Sequence, residues 1–97
     1  MTVPHGPRQP RIEIRYCTGC GWLLRAAWMA QELLSTFAEE IGEVALVPAD
    51  PGLFEIWIDA ERIWSRADDG GFPAVKTLKQ RARRLLAPER DLGHLEP

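Results

Sequence analysis

The chain has 97 residues, with 12 Lys and Arg against 14 Asp and Glu for a formal net charge of −2. That length sets a single domain, which buries roughly 65% of its unfolded surface and can build a core without staples. Its 45% hydrophobic content, the lack of a membrane-length apolar run and the lack of a basic excess argue against a membrane span and against a nucleic-acid partner.

Residues 1–10 carry Pro4, Gly6, Pro7 and Pro10 without the apolar stretch of a secretion signal, and read as a flexible lead-in. Two cysteines in such a chain argue against a structural disulfide framework and for a reducing, cytoplasmic location. Arg11-Ile12-Glu13-Ile14-Arg15-Tyr16 then alternates polar and apolar residues, as a half-buried strand does. Cys17-Thr18-Gly19-Cys20 follows at once. From near Trp22 to Ile41 the pattern becomes helical. Leu23, Leu24, Ala27, Ala30, Leu34, Phe37, Ala38 and Ile41 recur at three- and four-residue steps and predict one buried face, with Arg25, Glu32, Thr36, Glu39 and Glu43 opposite. Gly42 is placed to end that helix in a left-handed conformation.

Val44–Val47 reads as a short buried strand closed by Pro48 and Pro51-Gly52. Leu53–Asp59 alternates again, and Arg62–Arg66 is its partner after a tight turn at Ala60-Glu61, so the two should be antiparallel. Asp68-Asp69-Gly70-Gly71 breaks the chain, and Pro73 suits the first turn of a second helix. Val75, Leu78, Ala82, Leu85 and Leu86 mark its apolar stripe, and Pro88 ends it. Lys76, Lys79, Arg81, Arg83 and Arg84 on that helix read as a solvated face whose charges suit a helix C-terminus. Residues 88–97 read as a flexible tail.

The order β-α-β-β-β-α implies a parallel pair from the strand–helix–strand start and antiparallel strands from the hairpin. With a CxxC after the first strand, residues 11–87 are expected to form an α/β domain of thioredoxin-like fold. That domain is a mixed four-stranded sheet with two helices.

Both cysteines fall on one strand-to-helix turn. An isolated thiol has a pKa of about 8.5, and a helix N-terminus, with its unpaired N–H groups, favours the thiolate. The two-residue spacer lets one sulfur resolve a mixed disulfide held on the other. Gly19 supplies backbone freedom for the turn, Gly21 lets chain or ligand approach closely, and Arg15 and Arg25 are candidate sources of positive potential. Thioredoxin logic makes Cys17 the nucleophile and Cys20 the resolver. Two blander readings compete. A structural zinc site wants four ligands, and the only histidines, His5 and His94, sit in the two terminal segments. Alternatively, both cysteines are inert buried hydrophobes, which the turn position and the flanking glycines oppose. No metal or resident cofactor is therefore expected.

Trp22, Trp28, Trp57 and Trp64 are many for this length, and two or three of them are expected in packing roles. Trp22, two residues after the CxxC, is a candidate wall of a substrate groove, and Phe72-Pro73 is a second.

Four blocks in order bear on family: Ile14-Arg15-Tyr16-Cys17-Thr18-Gly19-Cys20-Gly21-Trp22, Gly52-Leu53-Phe54-Glu55-Ile56, Ile63-Trp64-Ser65-Arg66 and Gly71-Phe72-Pro73. Together they resemble the selenoprotein W-like family (the SelT/SelW/SelH group, also called Rdx) over about Arg11 to Leu86. The resemblance implies a thioredoxin-like fold, a thiol redox role and glutathione as a candidate co-substrate. Selenocysteine-containing members carry selenium at the second motif position, which maps onto Cys20. This points to Cys20 as the attacking group, against thioredoxin logic, with sulfur a weaker nucleophile and leaving group than selenium.

Two functions are thus expected to compete. The first is a thiol–disulfide redox protein acting on protein thiols, protein disulfides or glutathione through Cys17 and Cys20, with Thr18, Gly19, Gly21, Trp22, Phe72 and Pro73 around the substrate. The second is a non-catalytic or redox-gated interaction module, motivated by the aromatic content and an exposed Trp57/Trp64 hairpin. A free sheet edge also makes a homodimer a candidate.

Overall fold

The computed structural model describes Gly6 and residues 8–93. Strands β1 (Arg11–Cys17), β2 (Glu43–Ala49), β3 (Phe54–Ile58) and β4 (Glu61–Ser65) form one sheet in the order β2-β1-β3-β4. Helix α1 (Leu23–Thr36) connects β1 to its parallel neighbour β2, while β3 runs antiparallel to both β1 and β4. Helices α2 (Arg66–Asp69) and α3 (Val75–Leu86) follow the sheet. This is the expected mixed thioredoxin-like α/β plan with one helix more than expected.

Alternation in the strands sorts the two sheet faces. Ile12, Ile14 and Tyr16 of β1 and Phe54, Ile56 and Ile58 of β3 are buried against α1 and α3. The other face carries Arg11, Glu13, Arg15, Glu55 and Trp57, all part-exposed. Arg11 and Arg15 both pair with Glu13, Arg62 pairs with Glu55, and Arg15 stacks 4.6 Å from the centre of the Trp57 ring. The Arg15 hydrogen bond, joined by Arg11, holds the Glu13 carboxyl below its ordinary range against the opposing effect of desolvation. Opposite charges on neighbouring strands make this a solvated ladder.

Helix α1 does not present the face that its spacing suggests. Ala26, Met29, Ala30 and Leu33 are buried, and Phe37 caps the end. Leu24 is 82% exposed, with Leu23, Trp28 and Leu34 also exposed. The helix is apolar over more than half its circumference, so periodicity alone leaves two faces open. Two alanines on one of them let the backbone approach the sheet closely, and that face is buried. The helix also stops five residues early, at Thr36, where the Phe37 N–H bonds Leu33 O.

Gly42 is needed for close approach and not for a left-handed cap. A Cβ there would lie 2.7–2.8 Å from backbone atoms of Arg8 and Gln9, and its N–H donates to Pro10 O at 2.9 Å. Gly42→Ala should therefore cost about 1–3 kcal/mol of stability. Gly19→Ala, with nothing within 4 Å of its Cβ, should cost almost nothing. Urea denaturation of the two variants checks this, and equal midpoints would refute it.

Strand β2 is an edge strand and only half-buried, which corrects the expectation of a buried one. Pro48 lies inside it, paired in register with Tyr16, a position that an edge tolerates. The hairpin turn falls at Asp59-Ala60, one residue earlier than expected. Asp59 adopts φ +51°, and its carboxylate accepts from the Arg11 N–H at 2.8 Å.

Pro73 is buried but precedes α3, whose N-cap is Ala74. Leu85 is exposed, in contrast to its place in the predicted stripe. The basic run is also less solvated than expected. Lys79 is buried and pairs with Glu32 at 2.9 Å, joining α3 to α1. Arg81 donates to Ile63 O at 2.8 Å and stacks on Trp64.

At the chain ends, the Arg8 N–H donates to Glu43 Oε1, and Leu92 is buried in the core. Pro4, His5, Pro7 and His94 lie outside the described residues. Among the described residues no helix is long and apolar enough to cross a membrane.

Candidate functional site

Cys17 ends β1, in register with Ala49 of β2, so the sheet holds its backbone. Thr18, Gly19 and Cys20 project beyond the sheet as an exposed turn. The Gly21 N–H donates to Thr18 O at 3.2 Å, and Gly21 takes φ +74°, which a side chain would strain. Its glycine is required by conformation and not by close approach, since nothing lies within 4 Å of a Cβ there. Gly19, conversely, has no positive φ to justify it. Trp22 then caps α1 without a side-chain hydrogen bond.

Cys17 and Cys20 form a disulfide across this turn, with Cα atoms 5.4 Å apart. The two residues are not equivalent to solvent. Cys17 is only 3% exposed, whereas Cys20 is exposed.

An aromatic cluster stands behind the turn. The Trp22 ring meets Phe72 edge-on at 5.0 Å and Phe54 at 6.2 Å, and Phe54 meets Phe72 at 4.9 Å. Edge-to-face contacts of this kind add to area burial and fix ring orientation. The structure brings Trp22 and Phe72 together and adds Phe54. Pro73, next in sequence to Phe72, is buried.

Phe72 reaches this position because of α2, the single helical turn where a plain chain break was expected. Ser65 Oγ accepts from the Asp68 N–H at 3.3 Å, while Asp69 Oδ2 accepts from the Ser65 N–H at 2.9 Å. This is a reciprocal cap. Gly70, left-handed at φ +78°, closes the turn, and Trp64 Nε1 donates to Gly71 O at 2.9 Å. The Arg81 hydrogen bond, together with the Ser65 N–H, holds the Asp69 carboxyl below its ordinary range. The signal for α2 was local: a serine three residues before an aspartate, with a glycine just after.

Two arginines lie on the aromatic cluster. Arg25 of α1 sits 4.1 Å from the Phe72 ring centre, and Arg66 of α2 sits 5.0 Å from Trp22 and 5.5 Å from Phe72. Arg25 was expected to add positive potential. Arg66 was expected in a strand and had no site role. Arg15 is committed to Glu13 and Trp57 on the open sheet face. A shallow cleft of about 200 Å³ opens at the same end of the sheet, lined by Pro51, Gly52, Phe54 and Ala67 among others, and neither cysteine lines it.

The geometry is that of a bridged dithiol on an exposed turn with aromatic and cationic walls, and known proteins share its frame. A crystal structure of a protein from Bordetella parapertussis superimposes with a TM-score of 0.77 at 62% identity, covering 78% of this chain and 96% of that one. The crystal structure of a selenoprotein W-related protein from Vibrio cholerae gives a TM-score of 0.77 at 55% identity, covering 78% and 95%. Migration and invasion enhancer 1 of Bos taurus is 32% identical over 90 residues, covering 87% of this chain and 75% of that protein. Its Mus musculus counterpart is 33% identical over 75 residues, covering 62% of that protein. The family model described as the Rdx family matches residues 11–84. With that match over most of its length, and a CxxC pair bridged at the end of β1, the chain belongs to the Rdx family, whose pattern supports a redox role.

Proposed function

We propose that the protein is a thiol–disulfide exchange protein of the cytoplasm in which Cys20 attacks and Cys17 resolves, with glutathione as a co-substrate. The observation that carries this reading is the unequal exposure of the bridged pair: Cys20 is open to solvent and Cys17 is 3% exposed. An incoming disulfide has access to the Cys20 sulfur, whereas Cys17 is reached from Cys20 and little else. The reversed order also agrees with the second-position selenium of related proteins.

In the reducing direction the Cys20 thiolate attacks one sulfur of RS–SR. The RS–SR bond breaks, RS⁻ leaves with the bonding pair, and Cys20 holds the mixed disulfide. The Cys17 thiolate then attacks the Cys20 sulfur and expels the second RS⁻. The dithiol loses two electrons and two protons in total, and the substrate gains them as two thiols.

The surface that motivates an interaction module is not where it was expected. Trp64 is buried, and the Trp57 indole is half-buried and donates to Glu55 at 2.9 Å. The exposed apolar residues lie on α1.

Mass spectrometry of the protein equilibrated across ratios of reduced to oxidised glutathione tests the exchange reading. The expected result is a reversible Cys17–Cys20 bridge, with glutathione found on Cys20 at intermediate ratios. A protein that carries neither bridge nor adduct at any ratio would exclude it.

A further inference from the structure

Six of the twelve Lys and Arg residues of this chain have a carboxylate partner among the described residues. Arg11, Arg15, Arg62, Lys79, Arg81 and Arg90 all pair with Asp or Glu. Arg25 and Arg66 do not, among the described residues, although both side chains are exposed and both guanidinium groups lie within 5.5 Å of the centre of one ring, Phe72. The acidic groups nearest in sequence are already engaged: Asp68 with Arg62, Asp69 with Arg81, and Glu32 with Lys79. Two guanidinium groups without an ion-pair partner among the described residues therefore lie over one ring, and that ring meets Trp22, two residues beyond Cys20.

Like charges gathered without a counter-ion repel, and the arrangement is held because both guanidinium groups rest on ring faces. Stacked in this way, a guanidinium loses little side-chain freedom and keeps its N–H edge outward, the edge that binds carboxylate oxygens in pairs. We infer that Arg25 and Arg66 form a carboxylate-binding subsite that selects anionic disulfides, those carrying a carboxylate a few bonds from the reacting sulfur, for attack by Cys20. This inference rests on the exchange reading and narrows its substrate class. The bond changes are those already given. The arginines take no part in them, and they hold the anionic end of RS–SR while Cys20 meets its sulfur.

The test uses three aliphatic disulfides of similar size and different charge: 3,3′-dithiodipropionate (anionic), 2,2′-dithiodiethanol (neutral) and cystamine (cationic). Second-order rate constants for oxidation of the reduced protein are compared between wild type and the double variant Arg25→Gln, Arg66→Gln. Taking the anionic-to-neutral ratio within each protein cancels intrinsic disulfide reactivity and any change in thiol acidity. That ratio should fall about tenfold in the variant, and the wild-type preference should shrink with added salt. The reversal Arg25→Glu, Arg66→Glu should turn the preference toward cystamine, which a loosened fold alone would not do. An unchanged ratio in both variants, or an equal fall with all three probes, overturns the subsite and leaves exchange by Cys20 intact. A wild-type protein that reacts with none of the three removes the exchange reading, and the subsite with it.

Discussion

Cys20→Ser should abolish adduct formation with oxidised glutathione, a loss of more than about a hundredfold in rate, whereas Cys17→Ser should accumulate a stable glutathione adduct on Cys20. The asymmetry follows from position. Cys17 closes β1 with its backbone paired to β2 and is only 3% exposed, so an outside disulfide should reach it poorly. Cys20 sits at the exposed end of the turn, ahead of a helix start that carries no side-chain cap. Thiol–disulfide exchange needs an in-line approach of three sulfurs, which the exposed residue of the pair should admit more readily than the buried one. Without Cys17, the mixed disulfide has no internal nucleophile to release it. Intact-mass spectra of the two single variants after brief exposure to oxidised glutathione decide the matter. An adduct on Cys17 in the Cys20→Ser protein, formed as fast as the adduct on Cys20 in the other variant, would reverse the assignment.

Phe54→Ala is expected to cost about 3–5 kcal/mol, a large share of a total stability on the order of 5–15 kcal/mol. Phe54 is 1% exposed, pairs in register with Tyr16 and supports both Trp22 and Phe72 from below. Its loss should leave a cavity under the aromatic wall and free those two rings, so the reaction of Cys20 should change as well. Phe37→Ala separates the two effects. Phe37 is 0% exposed at the far end of α1 from the CxxC turn, so its truncation should cost a similar amount while leaving Cys20 reactivity near wild type. Urea denaturation gives the stabilities, and alkylation rates of the reduced proteins give the reactivities. A loss below about 1 kcal/mol at Phe54 would mean that the cluster does not support the wall.

What could be read from residues alone was local. The strand-to-helix turn at Cys17–Cys20 declares itself because alternation stops and helical spacing begins within a few positions. The hairpin declares itself because two alternating runs are separated by too few residues to be parallel. Non-local competition decided the rest. Leu24 and Met29 are equally apolar, yet Leu24 faces solvent and Met29 is sealed, because Ala26 and Ala30 on the Met29 side admit the sheet. Gly42 looked like a helix terminator, but its smallness serves the crossing of Arg8 and Gln9, partners more than thirty positions away. Arg66 could not be placed over Trp22 until the one-turn α2 and the Gly70-Gly71 reversal set Phe72 against that ring. Long-range packing of this kind leaves no periodic trace.

The direction of β1 also fixes how the molecule would sit on a support. Arg11 begins that strand and Cys17 ends it. Seven extended residues at about 3.3 Å apiece set these poles roughly 20 Å apart. Arg8 is strapped across Gly42 at the Arg11 pole, and Leu85, near the end of α3, borders the same cleft as Pro10. A tether grafted near Arg8 or Leu85 would therefore orient the dithiol away from a bead or electrode, and an immobilised layer should keep its sulfurs turned to the bulk liquid.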